Sequence, residues 1–459
     1  MRVCANKVAT LAIAQQKYPQ ENYKLTDLLQ DEDVLDTWFS SWLWPISVFD
    51  GIRNPDNEDI KYYYPTNDLI TAPEILFFWV ARMIMAGLDY RNDIPFKNVY
   101  LTGIVRDKLG RKMSKSLGNS PDPIELMEKY GADGVRVGML LTSPAGNDLP
   151  FDESLCEQGR NFSNKIWNAL RLVTGWEIDA TIPQPEYAKV AIDWFNAKFD
   201  ETLNQIEDHY EKYRLSDALM TTYKLIWDDF CSWYLEIIKP VYQHPIDKLT
   251  YDATIDLLEK LLKVLHPFMP FITEEIWHLL KERADDDNII IAAMPTIQEP
   301  NRDILSNFDF ALEVIQAIRS IRKEKNILNK ESLSLYIKNN NNKESDKIFD
   351  TIIQKLCNID KLEYVEEKLE DMHSFMVRTT ELFIPLSQNI NVEEEIIRLS
   401  GELKYYEGFR DNVLKKLSNE RFVSSAPANV VELERKKQSD AEQKIAVIEE
   451  QLRKLQTNS

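Results

Sequence analysis

The stretch Gly103–Asn119, GIVRDKLGRKMSKSLGN, holds the residues with the plainest chemical use. Lys112 and Lys115 stand three apart at its centre, separated by Met113 and Ser114 and followed by Ser116, with Gly103, Gly110 and Gly118 around them. Two ammonium groups on long stems, carried by a loop with glycine freedom, can converge on a polyphosphate and follow its charge through a reaction. Such a loop needs rigid neighbours. Upstream, Val99–Val105 reads as a buried strand; downstream, Asp122 fits an N-cap, Pro123 the first helical residue and Gly131 the stop. A lysine loop between a strand and a helix suits phosphate chemistry in an α/β protein. By composition alone, the same pentamer also fits an ordinary solvated loop.

The whole chain sets limits on that chemistry. Its 459 residues leave room for roughly two to four domains, each with its own core. Apolar content of 44% and ten tryptophans exclude a disordered protein. A net charge of −20 argues against indiscriminate polyanion binding, so any RNA contact has to come from local basic patches. Cys4, Cys156, Cys231 and Cys357 stand isolated, which excludes a zinc ribbon or a disulfide framework and fits a reducing cytoplasm. No window reaches the roughly 18 apolar residues of a membrane-spanning helix.

In chain order, Val8–Lys17 reads as a helix ended by Pro19. Residues 31–50 carry Trp38, Trp42 and Trp44, a density found more often in cores than in ligand sites, with Asp36 as an ordered polar neighbour. Residues 60–70 read as a strand. Thr71-Ala72-Pro73-Glu74 fits a capping box that opens a helix to Gly87. On that helix Ile75 and Trp79 share a face, and Phe77 and Phe78 read as core. From about Phe151, apolar residues at helical spacing over Asn161–Trp176, Ile192–Tyr213, Leu215–Lys239, Thr250–Leu265 and Ile272–Arg283 predict a helical bundle. In it His266 fits a structural helix end. Residues 305–385 predict a small α/β module. It has a helix through Ala311–Lys325, a strand Leu333–Lys338, a polar loop Asn339–Asn342 and strand-like runs near Leu362–Val365 and Phe375–Leu386. Arg319, Arg322, Lys323 and Lys325 give its helix a basic face, open to RNA or to solvent alone.

The last segment repeats apolar residues at coiled-coil spacing: Val392, Ile396, Leu399, Leu403, Tyr406, Val413 and Leu417, then Ala441, Ile445, Ile448, Leu452 and Leu455. Pro427 marks a turn over Arg421–Asn429, so the two helices pair antiparallel. Residues 391–459 hold 12 basic and 13 acidic side chains. Between Lys415 and Lys437 the basic residues Lys415, Lys416, Arg421, Arg435, Lys436 and Lys437 face three acidic ones, so positive charge gathers at the tip.

GRKMSKSLGN resembles the signature loop of class I aminoacyl-tRNA synthetases. That resemblance assigns Lys112 and Lys115 to the ATP phosphates and the leaving pyrophosphate, with Met113, Ser114 and Ser116 completing the loop. DVLDTWFSS around Trp38 resembles the stretch after the editing domain of the valyl-tRNA synthetase family, and Trp38, Ile75 and Trp79 then line a valine pocket. A small branched apolar side chain suits such a tight, dry slot. NFSNKIWNALRLV and HPFMPFITEEIW are similar to that family's anticodon-binding domain, and KKLSNERFVSSAPANVVELERKK to its tRNA-binding arm. Isoleucyl enzymes commonly end in cysteine-bearing zinc modules, and leucyl enzymes differ around the tryptophans.

Two features depart from the family. Ala72 and Glu74 stand where it usually has Gly and Asp, at the edge of the ATP ribose site. The His-x-Gly-His signature has no counterpart, because His209, His244, His266, His278 and His373 are never paired in that way.

The implied fold is multidomain α/β plus α. Residues 1–30 are a remnant, 31–150 the C-terminal half of a Rossmann-like nucleotide fold with the lysine loop, and 151–300 an anticodon-binding bundle. The small α/β module covers 301–390 and an antiparallel coiled-coil arm covers 391–459. The implied function is valine–tRNA ligation by the C-terminal portion of a longer enzyme. Its substrates are ATP with Mg2+, valine and valine tRNA, and it has no protein-bound metal. It is a cytoplasmic monomer without membrane contact, inactive alone and completed by an N-terminal half in trans. A non-catalytic tRNA-binding paralogue and a coiled-coil scaffold are the alternative readings.

Overall fold

The computed structural model describes residues 6–34, 36–142, 148–325, 327–338, 347–369, 372–385, 392–419, 422–423 and 427–457, apart from the side chains at 115, 392–398, 428–429 and 454–457. Two compact units divide the chain, one drawn from Met1–Leu117 with Ser143–Phe151, the other from Gly118–Thr142 with Asp152–Ser459. Among the described residues no helix is long and apolar enough to cross a membrane.

The first unit opens with α1 (Lys7–Lys17), capped by Asn6, whose side chain accepts from the Ala9 N–H at 2.9 Å. Short helices α2 (Thr37–Ser41), α3 (Trp44–Ser47) and α4 (Glu58–Tyr63) follow. The last corrects the first part of the expected strand over 60–70, whose remainder is a strand from Thr66. Asn57 caps α4 by accepting from Ile60 N at 2.9 Å, and Ile60 is fully buried beside Ile46. A cap and a tertiary contact thus override the strand preference of Tyr62 and Tyr63. After the cis Tyr64–Pro65 bond, β1 (Thr66–Thr71) pairs parallel with β2 (Phe96–Leu101).

The crossover between these strands is helical but irregular. A 3-10 turn, Pro73–Ile75, leads into a π-helical turn, Leu76–Val80, and then into α5 (Ala81–Arg91). The expected capping box does not form, since Ala72 stands at the N-cap with no side-chain hydrogen bond. Nor does the helix stop at Gly87; it ends at Asn92, held left-handed at φ 55°. A Cβ on Gly87 would lie 2.6 Å from the Tyr64 hydroxyl, so that glycine serves close packing. Phe77 and Phe78 are not core. They are 88% and 52% exposed, because the π turn gives Val80 to the cluster with Met83 and Phe96 instead. The strand expected over Val99–Val105 is two: β2 ends at Leu101, and β3 (Val105–Arg106) pairs with β4 (Leu149–Pro150).

In the second unit α6 (Pro123–Tyr130) starts as expected, with the Asp122 carboxylate accepting from Ile124 N at 2.8 Å, and stops at Gly131, φ 76°. Helices α7 (Ala132–Leu141) and α8 (Glu153–Thr174) pack so closely that a Cβ on Gly138 would lie 2.7 Å from Cys156 N. The bundle continues through α9 (Glu186–Glu211) and α10 (Leu215–Lys224). A π-helical stretch, Leu225–Tyr234, carries α10 into α11 (Leu235–Ile238), and α12 (Lys248–Leu265) and α13 (Pro270–Leu280) follow. His266 caps α12, with Nδ1 2.8 Å from the Thr273 hydroxyl, and burial pushes its pKa down.

One apolar cluster runs from this bundle through α14 (Arg302–Glu324) into a four-stranded sheet. Strand β5 (Leu333–Lys338) pairs parallel with β6 (Ile359–Val365) and antiparallel with β8 (Thr380–Ile384), which pairs antiparallel with β7 (His373–Val377). The run expected near Phe375–Leu386 is therefore a hairpin. An unexpected helix, α15 (Asp350–Cys357), joins β5 to β6. The polar loop expected at Asn339–Asn342 lies outside the described residues.

The basic face of α14 needs correction. Arg322 is buried, and its guanidinium donates to the Leu328 and Cys357 carbonyls at 2.9 and 2.8 Å. Its place four residues after buried Ile318 turns it inward. Last come α16 (Val392–Leu417) and α17 (Ala428–Thr457).

Candidate functional site

Residues around the lysines fold as a short hairpin. The backbone of Lys112 bridges to Arg106, Asp107 N donates to Arg111 O at 2.9 Å, and Gly110 N donates to Asp107 O at 2.8 Å. Gly110 closes this turn at φ 76°, where a side chain would be strained. The Asp107 carboxylate holds the turn from inside, accepting from Leu109 N at 3.0 Å, Arg111 N at 2.9 Å and Arg111 Nε at 2.8 Å. Arg106 donates to the Gly110 carbonyl at 3.2 Å and pairs with Asp148, whose other oxygen accepts from Ile104 N at 3.2 Å. That pairing holds the Asp148 carboxyl below its ordinary range, the Arg106 hydrogen bond first and the Ile104 N–H second.

Past Lys112, Met113 N donates to Val105 O at 3.4 Å. The chain then makes a 3-10 turn over Lys115–Leu117, where Ser114 Oγ accepts from Leu117 N at 3.3 Å and lies 3.1 Å from the Ser116 hydroxyl. Gly118 leaves the turn at φ 63°. Lys112 is exposed, and the Lys115 side chain lies outside the described ones. A turn held at Asp107, with left-handed glycines at Gly110 and Gly118, thus carries two lysine stems. Asp107 and Asp148 were missed from sequence; the Asp-x-x-Gly spacing of Asp107 and Gly110 was a usable turn signal, while Asp148 is distant in sequence.

Trp38 sits in the first turn of α2, and Asp36, whose role the sequence left open, caps that helix by accepting from Trp38 N at 2.8 Å. The Arg82 guanidinium lies 3.5 Å above the Trp38 ring, and Phe78 is 6.3 Å away, tilted. Trp38 therefore meets the crossover through Phe78 and Arg82. Trp79 packs half-buried on the cluster of Val80, Met83 and Phe96, and Ile75 ends the preceding 3-10 turn. The shared face expected for Ile75 and Trp79 thus spans a change of helix type. Arg82, three residues after Trp79, escaped sequence reasoning because charge on a helix normally reads as solvated.

The arm helices run antiparallel. Leu399 packs with Ile448 and Leu452, the Tyr406 hydroxyl meets Lys444 at 3.3 Å, and Lys416 lies 3.6 Å from Glu434, so partner numbers fall as the first helix rises. Leu403 joins this seam, and Val413, Ala441 and Ile445 are buried. The side chains of Val392, Ile396 and Leu455 lie outside those described, as does Arg421. Lys415, Lys416, Arg435 and Lys436 are exposed; Lys437 is half-buried, 2.7 Å from buried Glu434. Glu434 thus offsets part of the charge of Lys416 and Lys437, and Lys415, Arg435 and Lys436 are left exposed. Among the described residues no three His, Cys, Asp or Glu side chains converge as a metal site.

Comparison with known proteins matches the chain in three places. Residues 4–152 fit the class I tRNA synthetases (I, L, M and V), 193–337 the anticodon-binding domain of tRNA ligase, and 391–456 the valyl tRNA synthetase tRNA binding arm. A valine–tRNA ligase of Parabacteroides distasonis is 57% identical over 450 residues, 98% of this chain and 51% of its own length. One from Christiangramia forsetii is 60% identical over 430 residues, 94% and 49% respectively. A LeuRS–tRNA–LeuAMS complex from Agrobacterium radiobacter superposes at a TM-score of 0.44 with 22% identity, over 60% of this chain and 34% of that one. The chain spans about half the length of the curated relatives it matches. On this set of matches the chain belongs to the valyl-tRNA synthetase family of class I aminoacyl-tRNA synthetases.

Proposed function

We propose that this chain supplies the lysine-loop half of a valine–tRNA ligase. ATP, bound with Mg2+, and valine form valyl-adenylate and pyrophosphate, and the valyl group then passes to valine tRNA. Lys112 and Lys115, with the backbone of Met113 through Ser116, take the phosphate end; Trp38, Ile75 and Trp79 take the valine side chain. The geometry that carries this reading is the hairpin held by Asp107. It fixes the root of both lysine stems while Gly110 and Gly118 leave the loop able to follow charge. Arg82, stacked on Trp38, orients the indole.

On the same reading the rest of the nucleotide fold comes from polypeptide equivalent to the other half of the relatives, in the same chain or in trans. The domain boundaries expected from sequence are retained as part of the proposal, with one refinement. Gly118–Thr142 clusters with the bundle, so the loop ends where the second unit begins. The arm meets tRNA through Lys415, Lys416, Arg421, Arg435, Lys436 and Lys437, and the protein works as a cytoplasmic monomer.

Lys115→Ala tests the loop. In protein completed by the other half, it is expected to slow valine activation by about 10²–10³-fold, the cost of losing one preorganised charge contact in a transition state. Valine KM should be nearly unchanged. A loss confined to valine KM would put Lys115 in the wrong role.

A further inference from the structure

The basic residues of α14 acquire a different meaning in three dimensions. A concavity of about 680 Å³ opens beside the ends of α14 and α15, lined by Arg319, Arg322 and Lys323 from the first helix and by Lys355 from the second. None of its lining residues is Asp or Glu, on a chain with 75 acidic and 55 basic side chains.

Two of the four cations are committed to the protein. Arg322 donates to Leu328 O and Cys357 O, and Lys355 Nζ donates to Lys239 O at 2.9 Å with the Tyr187 ring 3.8 Å below it. The other two, Arg319 and Lys323, are exposed; Arg319 stands 5.5 Å over the Trp233 ring, and neither has an ion-pair partner among the described residues. They stand four apart on α14, which places their stems about 6 Å apart on one face.

Helix C-termini offer a competing explanation, since basic side chains gather there to cap carbonyls. Each end is worth about half a negative charge. The ends of α11, α14 and α15 together supply about −1.5 against four cations, so the concavity stays positive after every end is capped. Burial, then the neighbouring Lys239 ammonium, pushes the Lys355 pKa down to about 8, with Glu236 opposing. Glu236 itself pairs with Lys239 at 2.9 Å, and Glu331 is the acid that acts on Arg322.

We infer that this concavity is a phosphate subsite for an RNA backbone, contacted by Arg319 and Lys323 and walled by Arg322 and Lys355. It rests on the tRNA partner proposed above and adds a contact remote in sequence from the arm. An extended phosphate chain suits it better than a single anion, because the two exposed cations lie along the helix rather than around one point.

The test uses the full chain, a fluorescently labelled valine tRNA transcript, and anisotropy titrations between 50 and 200 mM salt. Arg319→Gln with Lys323→Gln is expected to weaken binding about tenfold at the low-salt end. It should flatten the slope of log affinity against log salt by about 1.4–1.8, two phosphate contacts' worth. Both side chains are exposed, and unchanged far-UV circular dichroism would confirm that the fold is intact. Lys436→Gln with Lys437→Gln at the arm should flatten the slope separately and additively. If only the arm variant changes binding, the concavity is structural and the inference falls while the tRNA reading stands. If the parent chain itself shows no salt-dependent tRNA binding, the functional reading falls, and the inference with it.

Discussion

The two units of this chain treat apolar residues in opposite ways. In the second, one continuous cluster links the bundle, α14 and the four-stranded sheet, and Trp194, Phe195, Phe230, Tyr234 and Phe308 are all buried inside it. Among the described residues the first has two clusters of three buried residues each, Ile46–Ile60–Tyr64 and Val80–Met83–Phe96, and two two-stranded sheets. Its surface carries Trp44, Tyr62, Ile70, Phe77 and Phe78. Large apolar surface left in water is costly, and on soluble proteins it marks a place where something binds. The comparison teaches that the unit bearing the lysine loop keeps little of its apolar surface in a core, whereas the second unit gathers most of it there while still exposing Tyr242, Ile290 and Ile291.

Three substitutions sharpen or break that contrast. The largest effect belongs to Trp194→Ala. Trp194 and Phe308 are both buried and stack with ring centroids 3.7 Å apart, so the substitution opens a cavity in a closed core. It should cost about 3–5 kcal/mol and lower the urea midpoint of the second unit. A loss below about 1 kcal/mol would mean that the core is loosely packed.

Asp229→Asn should act in the opposite direction. Burial pushes the Asp229 carboxyl up to about 6, with Lys198 opposing and Asp228, Glu201 and Asp309 reinforcing. The folded chain holds this proton between about pH 4 and 6, where the unfolded chain releases it. Stability therefore falls as pH rises through that window, and the full penalty stands above it. Asn removes the penalty, so the variant should gain about 1–3 kcal/mol at pH 7.5 and nothing at pH 4. A gain independent of pH would locate the effect elsewhere.

The smallest effect on stability belongs to Phe77→Ser in the first unit. At 88% exposure the ring contributes little to folding, so the melting midpoint should hardly move while binding of a hydrophobic dye falls. A loss comparable to that of Trp194→Ala would show that Phe77 is packed after all.

Much of this was legible wherever a local rule decides the outcome. Asp122-Pro123 and Gly131 frame α6 because caps act within one turn. Leu333–Lys338 alternates and is a strand, and the described part of the arm keeps its period from Leu399 to Leu452 and its antiparallel pairing. Misreadings arose where distant contacts win. Ile60 buries itself on Ile46 and makes a helix of a tyrosine-rich run, and the π turns at Leu76–Val80 and Leu225–Tyr234 add residues per turn that a 3.6 period cannot register. Arg322 follows the apolar register of α14 inward, which spacing could have revealed had its charge not argued for solvent. At the site, the lysines could be read from sequence. Their supports could not: Asp148 reaches Arg106 from 42 residues away, and Arg82 reaches Trp38 by stacking, which leaves no pattern.

Valine-dependent exchange of pyrophosphate into ATP tests the central claim most directly, because it reads adenylate formation without tRNA. The purified chain alone should give no exchange above background, on the proposal that the rest of the nucleotide fold comes from polypeptide equivalent to the other half of the relatives. Adding a polypeptide equivalent to the other half of its relatives should restore exchange, and Lys115→Ala should remove most of it again. Exchange by the chain alone at the rate of a full-length relative would contradict the account.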